Sequence, residues 1–332
     1  MAEALLFGER EAQILAAREI GHLSTKQKQV LSENGVIPPL VLMLHSHDYD
    51  SVEASLFALL NLAFGSERNK RRIVKAGAVP AILEIIRQQN EPLLELALAF
   101  LLVLSSCSSN KSIIVCSGGI QLLIELFDSQ FPNCQCVSNQ AKFDIISTLH
   151  NLSNSPQAIA SIMLSGGLIT LIQFVYESEK SSSLAEKAVA LLESIVSSSE
   201  AALNQACEVG GVIQMLVEAV EEGSPECQEH AAGILLMICR RSRDRYRGMI
   251  LKEGAMPGLL QLSVDGSRRA REKARSLLIL LRDCGGGGGS GGGVSMSKKA
   301  ALEEVMRKID SGERSGSNSV EMVEEMIARL RT

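Results

Sequence analysis

Apolar positions return along most of this chain in a fixed arrangement. A short helical stripe ends in a glycine, a second apolar run follows, and after a polar break a third and longer run closes the unit. The clearest copy of the central elbow is Lys75-Ala-Gly-Ala-Val-Pro-Ala-Ile82. Others are Glu33-Asn-Gly-Val-Ile-Pro-Pro-Leu40, Cys116-Ser-Gly-Gly-Ile-Gln-Leu-Leu123, Leu164-Ser-Gly-Gly-Leu-Ile-Thr-Leu171, Glu208-Val-Gly-Gly-Val-Ile-Gln-Met215 and Lys252-Glu-Gly-Ala-Met-Pro-Gly-Leu259. The leading glycines read as Gly35, Gly77, Gly118, Gly166, Gly210 and Gly254, with spacings of 42, 41, 48, 44 and 44. A period in the low forties predicts stacked helical units, each burying its apolar face against its neighbours. Glycine permits the tight turn. Pro38, Pro80 and Pro257 open the next helix where no backbone N–H is required.

The predicted third helices cover 51–63, 92–106, 140–154, 184–198, 227–241 and 270–283. Residues 9–24 read as a lone final helix of an incomplete first unit, with Leu15, Ile20 and Leu23 capping the stack. The longer spacing places an insertion around Ser129–Asn139, a surface loop between a second and a third helix.

The pattern stops at Cys284. Residues 285–293 are Gly/Ser only, which reads as an engineered flexible linker. It divides a repeat domain (1–284) from a fused, partner-derived helical peptide (294–332). In that tail, Leu302, Val305, Met306 and Ile309 share one helical face, and Val323, Met326, Ile327 and Leu330 share another. Ser297 and Ser319 are placed to cap the two helices. Isolated helices this short are marginal, so the stripes call for a surface to bury against.

Gly elbow, apolar helix, small polar loop and a third helix ending Ala58-Leu-Leu-Asn-Leu-Ala63 resemble armadillo repeats across roughly residues 9–284. The last copy, with Arg240-Arg-Ser-Arg-Asp-Arg-Tyr-Arg247, Leu262-Ser-Val-Asp-Gly266 and Arg269-Ala-Arg-Glu-Lys-Ala-Arg275, resembles the armadillo region of plant U-box ubiquitin ligases. The resemblance implies an all-α fold, a right-handed solenoid of about six repeats, plus the linked tail with two short helices. It also implies a concave face lined by third helices, where an Asn ladder holds a partner's backbone. That ladder carries over to Asn61 and Asn151; Val103, Ser194, Met237 and Leu280 stand at the other positions. One turn earlier, where many family members place Trp, stand Phe57, Ala99, Ser147, Ala190, Gly233 and Ser276. This row of mostly small residues predicts a groove roomy enough for a helix, and the tail is expected to dock there antiparallel to the repeats, with the exposed C-terminal end of the stack as the alternative.

Another turn earlier come Glu53, Glu95, Phe143, Glu186, Glu229 and Glu272. Five acids at one position read either as an acidic strip for a basic partner or as first-turn acids placed by capping and the helix dipole. Asp50-Ser-Val-Glu53 and Ser183-Leu-Ala-Glu186 supply near capping boxes for the second reading. The basic run Arg240–Arg247 reads as a solvated face of the last repeat or an anion or partner contact.

Of the 332 residues, 46% are hydrophobic, 3% aromatic and 21% charged, and Trp is absent, so Leu, Ile, Val and Ala must build the core. A net charge of −5 argues against a general nucleic-acid binder. The apolar run Leu93–Leu104 is too short to span a bilayer and carries Glu95, so no membrane partner is expected. The eight cysteines fall mostly inside helical patterns, which fits a reducing cytoplasmic or nuclear compartment. His45, His47, Cys134 and Cys136 lack the paired spacing of a zinc site, and no metal or cofactor is expected. No nucleophile–base motif or phosphate loop points to an enzyme. The expected function is a monomeric protein-interaction scaffold that binds a helical segment, with the substrate-recruiting region of a U-box-type ligase as the alternative.

Overall fold

The computed structural model describes residues 1–128 and 137–282. The predicted tail, its linker, Cys134 and Cys136 lie outside them. Every regular element among the described residues is helical. The chain divides into two compact units, one of Met1–Thr170 and one beginning at Leu171.

In the first unit, α1 (Ala2–Phe7) and α2 (Arg10–Glu19) precede three repeats. The first comprises α3 (Thr25–Glu33), α4 (Ile37–Met43) and α5 (Tyr49–Ala63). The second comprises α6 (Glu67–Lys75), α7 (Ala78–Gln88) and α8 (Glu91–Ser105). The third comprises α9 (Ser108–Cys116), α10 (Gly119–Phe127) and α11 (Asn139–Leu152). Helix α12 (Pro156–Leu164) and the start of α13 (Gly167–Glu177) follow. The second unit holds the rest of α13 and α14 (Ser183–Ser198). Two repeats complete it: α15 (Glu200–Glu208), α16 (Val212–Glu222) and α17 (Pro225–Arg241), then α18 (Arg243–Lys252), α19 (Met256–Asp265) and α20 (Arg268–Leu281). All six third helices lie within about two residues of their predicted spans.

Helix α7 shows how one repeat is built. Val79, Ile82, Leu83 and Ile86 face inward and are buried, while Glu84 and Arg87 stay outside and pair at 3.3 Å. Gly77 precedes the helix with φ 90°, in the left-handed region, and open space surrounds its Cα. The glycine is therefore required by conformation rather than crowding. In the next repeat the break between α9 and α10 bends the chain by 75°. At the fifth elbow the left-handed residue is Gly211, with φ 81°, and not Gly210. Helix α15 ends at Glu208 and Val209 is extended (φ −71°, ψ 120°), so the turn arrives one residue later than the motif predicts.

The first unit's third helices pack side by side, α2 on α5, α5 on α8 and α8 on α11; in the second unit α14 packs on α17 and α17 on α20. Leu56, Leu59, Ile82, Leu98 and Phe100 are buried in the first core, and Leu191, Ile195, Met215, Leu235 and Leu277 in the second. The N-terminus departs from the expected lone helix. Helix α1 pairs with α2 and buries Leu5. Ile20 is buried as expected, but Leu15 is 64% exposed, because α2 seats Ala16 and Ala17 against the core instead.

Candidate protein-binding surface

The predicted rows fall at matching positions of the third helices. In the first unit, Ala99 and Val103 on α8 and Phe143, Ser147 and Asn151 on α11 are each half-buried. Phe57 on α5 is 47% exposed, and its ring lies against Gly21, where an added Cβ would stand 2.7 Å from Cε1. Both ladder amides are already engaged. Asn61 Nδ2 donates to the Phe57 carbonyl (2.9 Å) and its Oδ1 accepts from Lys28 Nζ (3.1 Å). Asn151 Nδ2 donates to Ser105 Oγ on α8 (3.0 Å). Two further asparagines, absent from the sequence reading, are buried on first helices. Asn69 Nδ2 reaches the Leu62 carbonyl (2.8 Å), and Asn110 Nδ2 reaches those of Leu104 (3.1 Å) and Lys70 (3.2 Å). Their signal was legible in the repeated Asn-Lys pair, 69–70 and 110–111.

The second unit solves the same positions with charge. Ala190 and Gly233 are buried; Ser194, Met237, Ser276 and Leu280 are half-buried. The space left by Gly233 is not open, contrary to the expected roomy groove. An added Cβ would stand 1.8 Å from Glu193 Oε1 and 3.0 Å from Lys273 Nζ. Glu193 on α14 reaches past α17 to Lys273 on α20 at 2.8 Å and also contacts His230 Nδ1 at 2.6 Å. Lys273 completes its shell on the Glu229 carbonyl (3.2 Å). The Glu193 side chain is only 19% exposed. Burial pushes its carboxyl up, but His230 and Lys273 more than offset this and leave it below the ordinary carboxylate value. In the first unit, buried Asp144 on α11 moves the other way: burial raises its carboxyl, the Gln140 hydrogen bond (2.9 Å) lowers it, and Glu95 raises it further.

Each acid of the row already has a partner on its own or a neighbouring helix. Ser138, the N-cap of α11, donates its hydroxyl to Glu95 on α8. Ser224, the N-cap of α17, donates to Glu186 on α14 (2.9 Å), and Ser267, the N-cap of α20, to Glu229 on α17 (2.6 Å). The same oxygens accept the N–H of Ala141, Cys227 and Ala270. Glu53 meets Tyr49 (3.2 Å) and Arg18 (3.7 Å), and Glu272 pairs with Arg268 (3.2 Å). The near capping boxes are not the ones used: α5 starts from Asp48 and α14 from Ser182, each one or two residues earlier than those motifs suggest.

The basic run is also partly structural. Arg243 donates to the Leu280 (2.6 Å) and Arg282 carbonyls, and Arg247 to that of Leu281 (2.9 Å), so both satisfy the C-terminal end of α20. Arg241 pairs with Glu200 at 2.6 Å. Burial, reinforced by Glu186, pushes the Cys227 thiol up to about 11, consistent with an inert core residue.

The family model of the plant U-box protein ARM repeat region matches residues 135–284, and that of the armadillo/β-catenin-like repeat matches residues 24–64. U-box domain-containing protein 45 of Arabidopsis thaliana is 28% identical over 258 residues, 76% of this chain and 32% of that protein. U-box domain-containing protein 17 of the same plant is 31% identical over 281 residues, 81% of this chain and 36% of that protein. This chain thus spans about a third of the length of these curated relatives. An engineered protein solved by crystallography covers 100% of this chain and is itself covered to 77%, with TM-score 0.75 at 20% identity. A computationally designed armadillo repeat protein for modular peptide recognition gives 0.64 at 18% identity, over 74% of this chain and 99% of its own. The repeats, the elbows and these matches agree: this is an armadillo-repeat protein, similar to the armadillo region of plant U-box proteins.

Proposed function

We propose that this chain is a protein-interaction scaffold with no catalytic chemistry of its own, and that its third-helix layer receives a helical segment of a partner protein. One observation carries the reading. At two registers one turn apart on the third helices, the structure leaves small or medium side chains half-buried: Ala99, Val103, Ser147 and Asn151 within the first unit, and Ser194, Met237, Ser276 and Leu280 within the second. A partner helix gains by burying such a row. The designed neighbours support the reading by fold; one was solved with the peptide (KR)4, at TM-score 0.50. The alternative, in which the recruited partner is a ligase substrate, draws on the similarity to the armadillo region of plant U-box proteins. A monomer in a cytoplasmic or nuclear compartment completes the proposal.

The test is site-specific photocrosslinking in the full chain. A crosslinking residue at Val103 or Met237 should yield a discrete protein adduct, and one at Leu42, exposed on the second helix α4, should not. Equal adducts from Leu42 would overturn the assignment. A pull-down with residues 1–284 as bait and 296–332 as competitor asks separately whether the tail mimics that partner.

A further inference from the structure

Helix α20 ends the described stack, and one of its faces has no neighbour among the described residues. Along it run Arg271, Arg275 and Ile279, all exposed, with Ile279 at 52%. The equivalent positions on α17 are Gln228, Ala232 and Leu236; α20 packs over that helix, and Ala232 and Leu236 are buried. On α14 the equivalents are Ala185, Val189 and Glu193, where the first two are buried beneath α17. The open face of α20 is therefore the one a further repeat would cover. A terminal repeat needs a polar outer face, and here the substitution is one-sided: Arg268, Arg269, Arg271 and Arg275 against a single acid, Glu272. Ile279 remains as an apolar centre within this basic surround.

We propose that residues 319–330 of this same chain dock on the open face of α20 and close the stack in place of a seventh repeat. Three observations select this occupant. The chain leaves α20 beside that face and continues for 50 residues beyond Arg282. The Gly/Ser stretch of nine residues spans roughly 15–18 Å, and α20 is about 21 Å long at 1.5 Å per residue, so a return over the helix lies within reach. The charges also match. Residues 319–330 carry Glu321, Glu324 and Glu325 against Arg329 around the stripe of Val323, Met326, Ile327 and Leu330, whereas around the earlier stripe Lys298, Lys299, Arg307 and Lys308 outnumber Glu303, Glu304 and Asp310, so a basic face favours the later segment. At the competing position along the third-helix row Glu229 and Glu272 already have partners in Ser267, Lys273 and Arg268, which weakens their pull on a basic segment. This inference stands apart from the scaffold reading and needs no external partner.

Hydrogen exchange on the full chain tests it. Tethering gives an effective concentration of roughly millimolar order, so a contact of about 100 µM affinity is closed about tenfold over open, and exchange at 320–330 slows by about that factor. Arg271→Glu with Arg275→Glu should abolish the slowing, and adding Glu324→Arg with Glu325→Arg should restore it. Ile279→Ser, a milder change at an exposed site, should also abolish it while leaving α17 protected. Fast exchange at 320–330 in the unaltered chain would overturn the proposal. So would slowing that survives the α20 variants but disappears with Val103→Glu or Met237→Glu.

Discussion

Each unit ties its own third helices together, with serine–glutamate bridges in both, but the remaining bridges differ in chemistry. In the first, neutral amides and hydroxyls bridge neighbours: Asn151 to Ser105, Asn110 to the Lys70 and Leu104 carbonyls. In the second, one carboxylate ties three helices, Glu193 reaching both His230 and Lys273 through the gap at Gly233. A neutral bridge loses one hydrogen bond when cut, typically about 1 kcal/mol. A half-buried ion cluster leaves unpaired charge behind when one member is removed, which costs more. The second unit is therefore tied more strongly under neutral conditions and is more exposed to changes of pH.

The largest effect should come from Glu193→Ala. It removes the partner that Lys273 and His230 share, leaves Lys273 on Glu229 alone, and should destabilise the second unit by about 1–2 kcal/mol, the full buried-pair figure being reduced for partial exposure and the remaining Glu229 contact. Urea denaturation followed by exchange in α14 and α17 measures it; a loss below that of Asn151→Ala would remove the distinction between the units. Next comes Gly211→Val, which places a β-branched residue at φ 81° and should cost about 1–2 kcal/mol. Gly210→Val, in open space and outside the left-handed region, should stay within about 0.5 kcal/mol. Equal shifts in the two denaturation midpoints would show that the elbow does not turn at Gly211. Asn151→Ala should then cost the first unit about 1 kcal/mol.

The smallest effect, and the sharpest in sign, is on pH. The Glu193 carboxyl is depressed in the folded protein, so its contribution is present above the ordinary value of 4.5 and is lost as pH falls through the folded value. The Asp144 carboxyl is raised, so its contribution is fully present below 3.8 and is lost as pH rises through the folded value. Acidification should weaken the second unit through Glu193 and favour the first through Asp144. Glu193→Gln should flatten the first dependence and Asp144→Asn the second, read as exchange rates in α14 and α11 from neutral pH down to below the ordinary carboxylate values of 4.5 and 3.8. Matching slopes in the two helices would break the comparison.

What the sequence revealed and what it hid divide along the same physical line. The third helices, the elbow at Gly77 and the core stripe of α7 follow from periodicities within one segment, so they could be read directly. Gly211 was missed by one residue because a Gly-Gly pair offers two turning points and only the extended Val209 selects the second. The Glu193 cluster left no local signal: its members are separated by 37 and 80 residues, and none lies in the rows that the repeat alignment singles out. The acid row was visible as a pattern, but its meaning depended on serine hydroxyls one repeat further along.

Those serines carry a consequence for how the molecule can vary. Ser138 stands directly after the additional residues between α10 and α11, yet it is keyed to Glu95 as Ser267 is to Glu229. A helix whose first residue is fixed by its neighbour starts in phase whatever length of chain precedes it. Loop length at that ridge is then an independent variable: segments can be lengthened, shortened or exchanged there while the frame keeps its count, and new surface can be tried without renegotiating the stack.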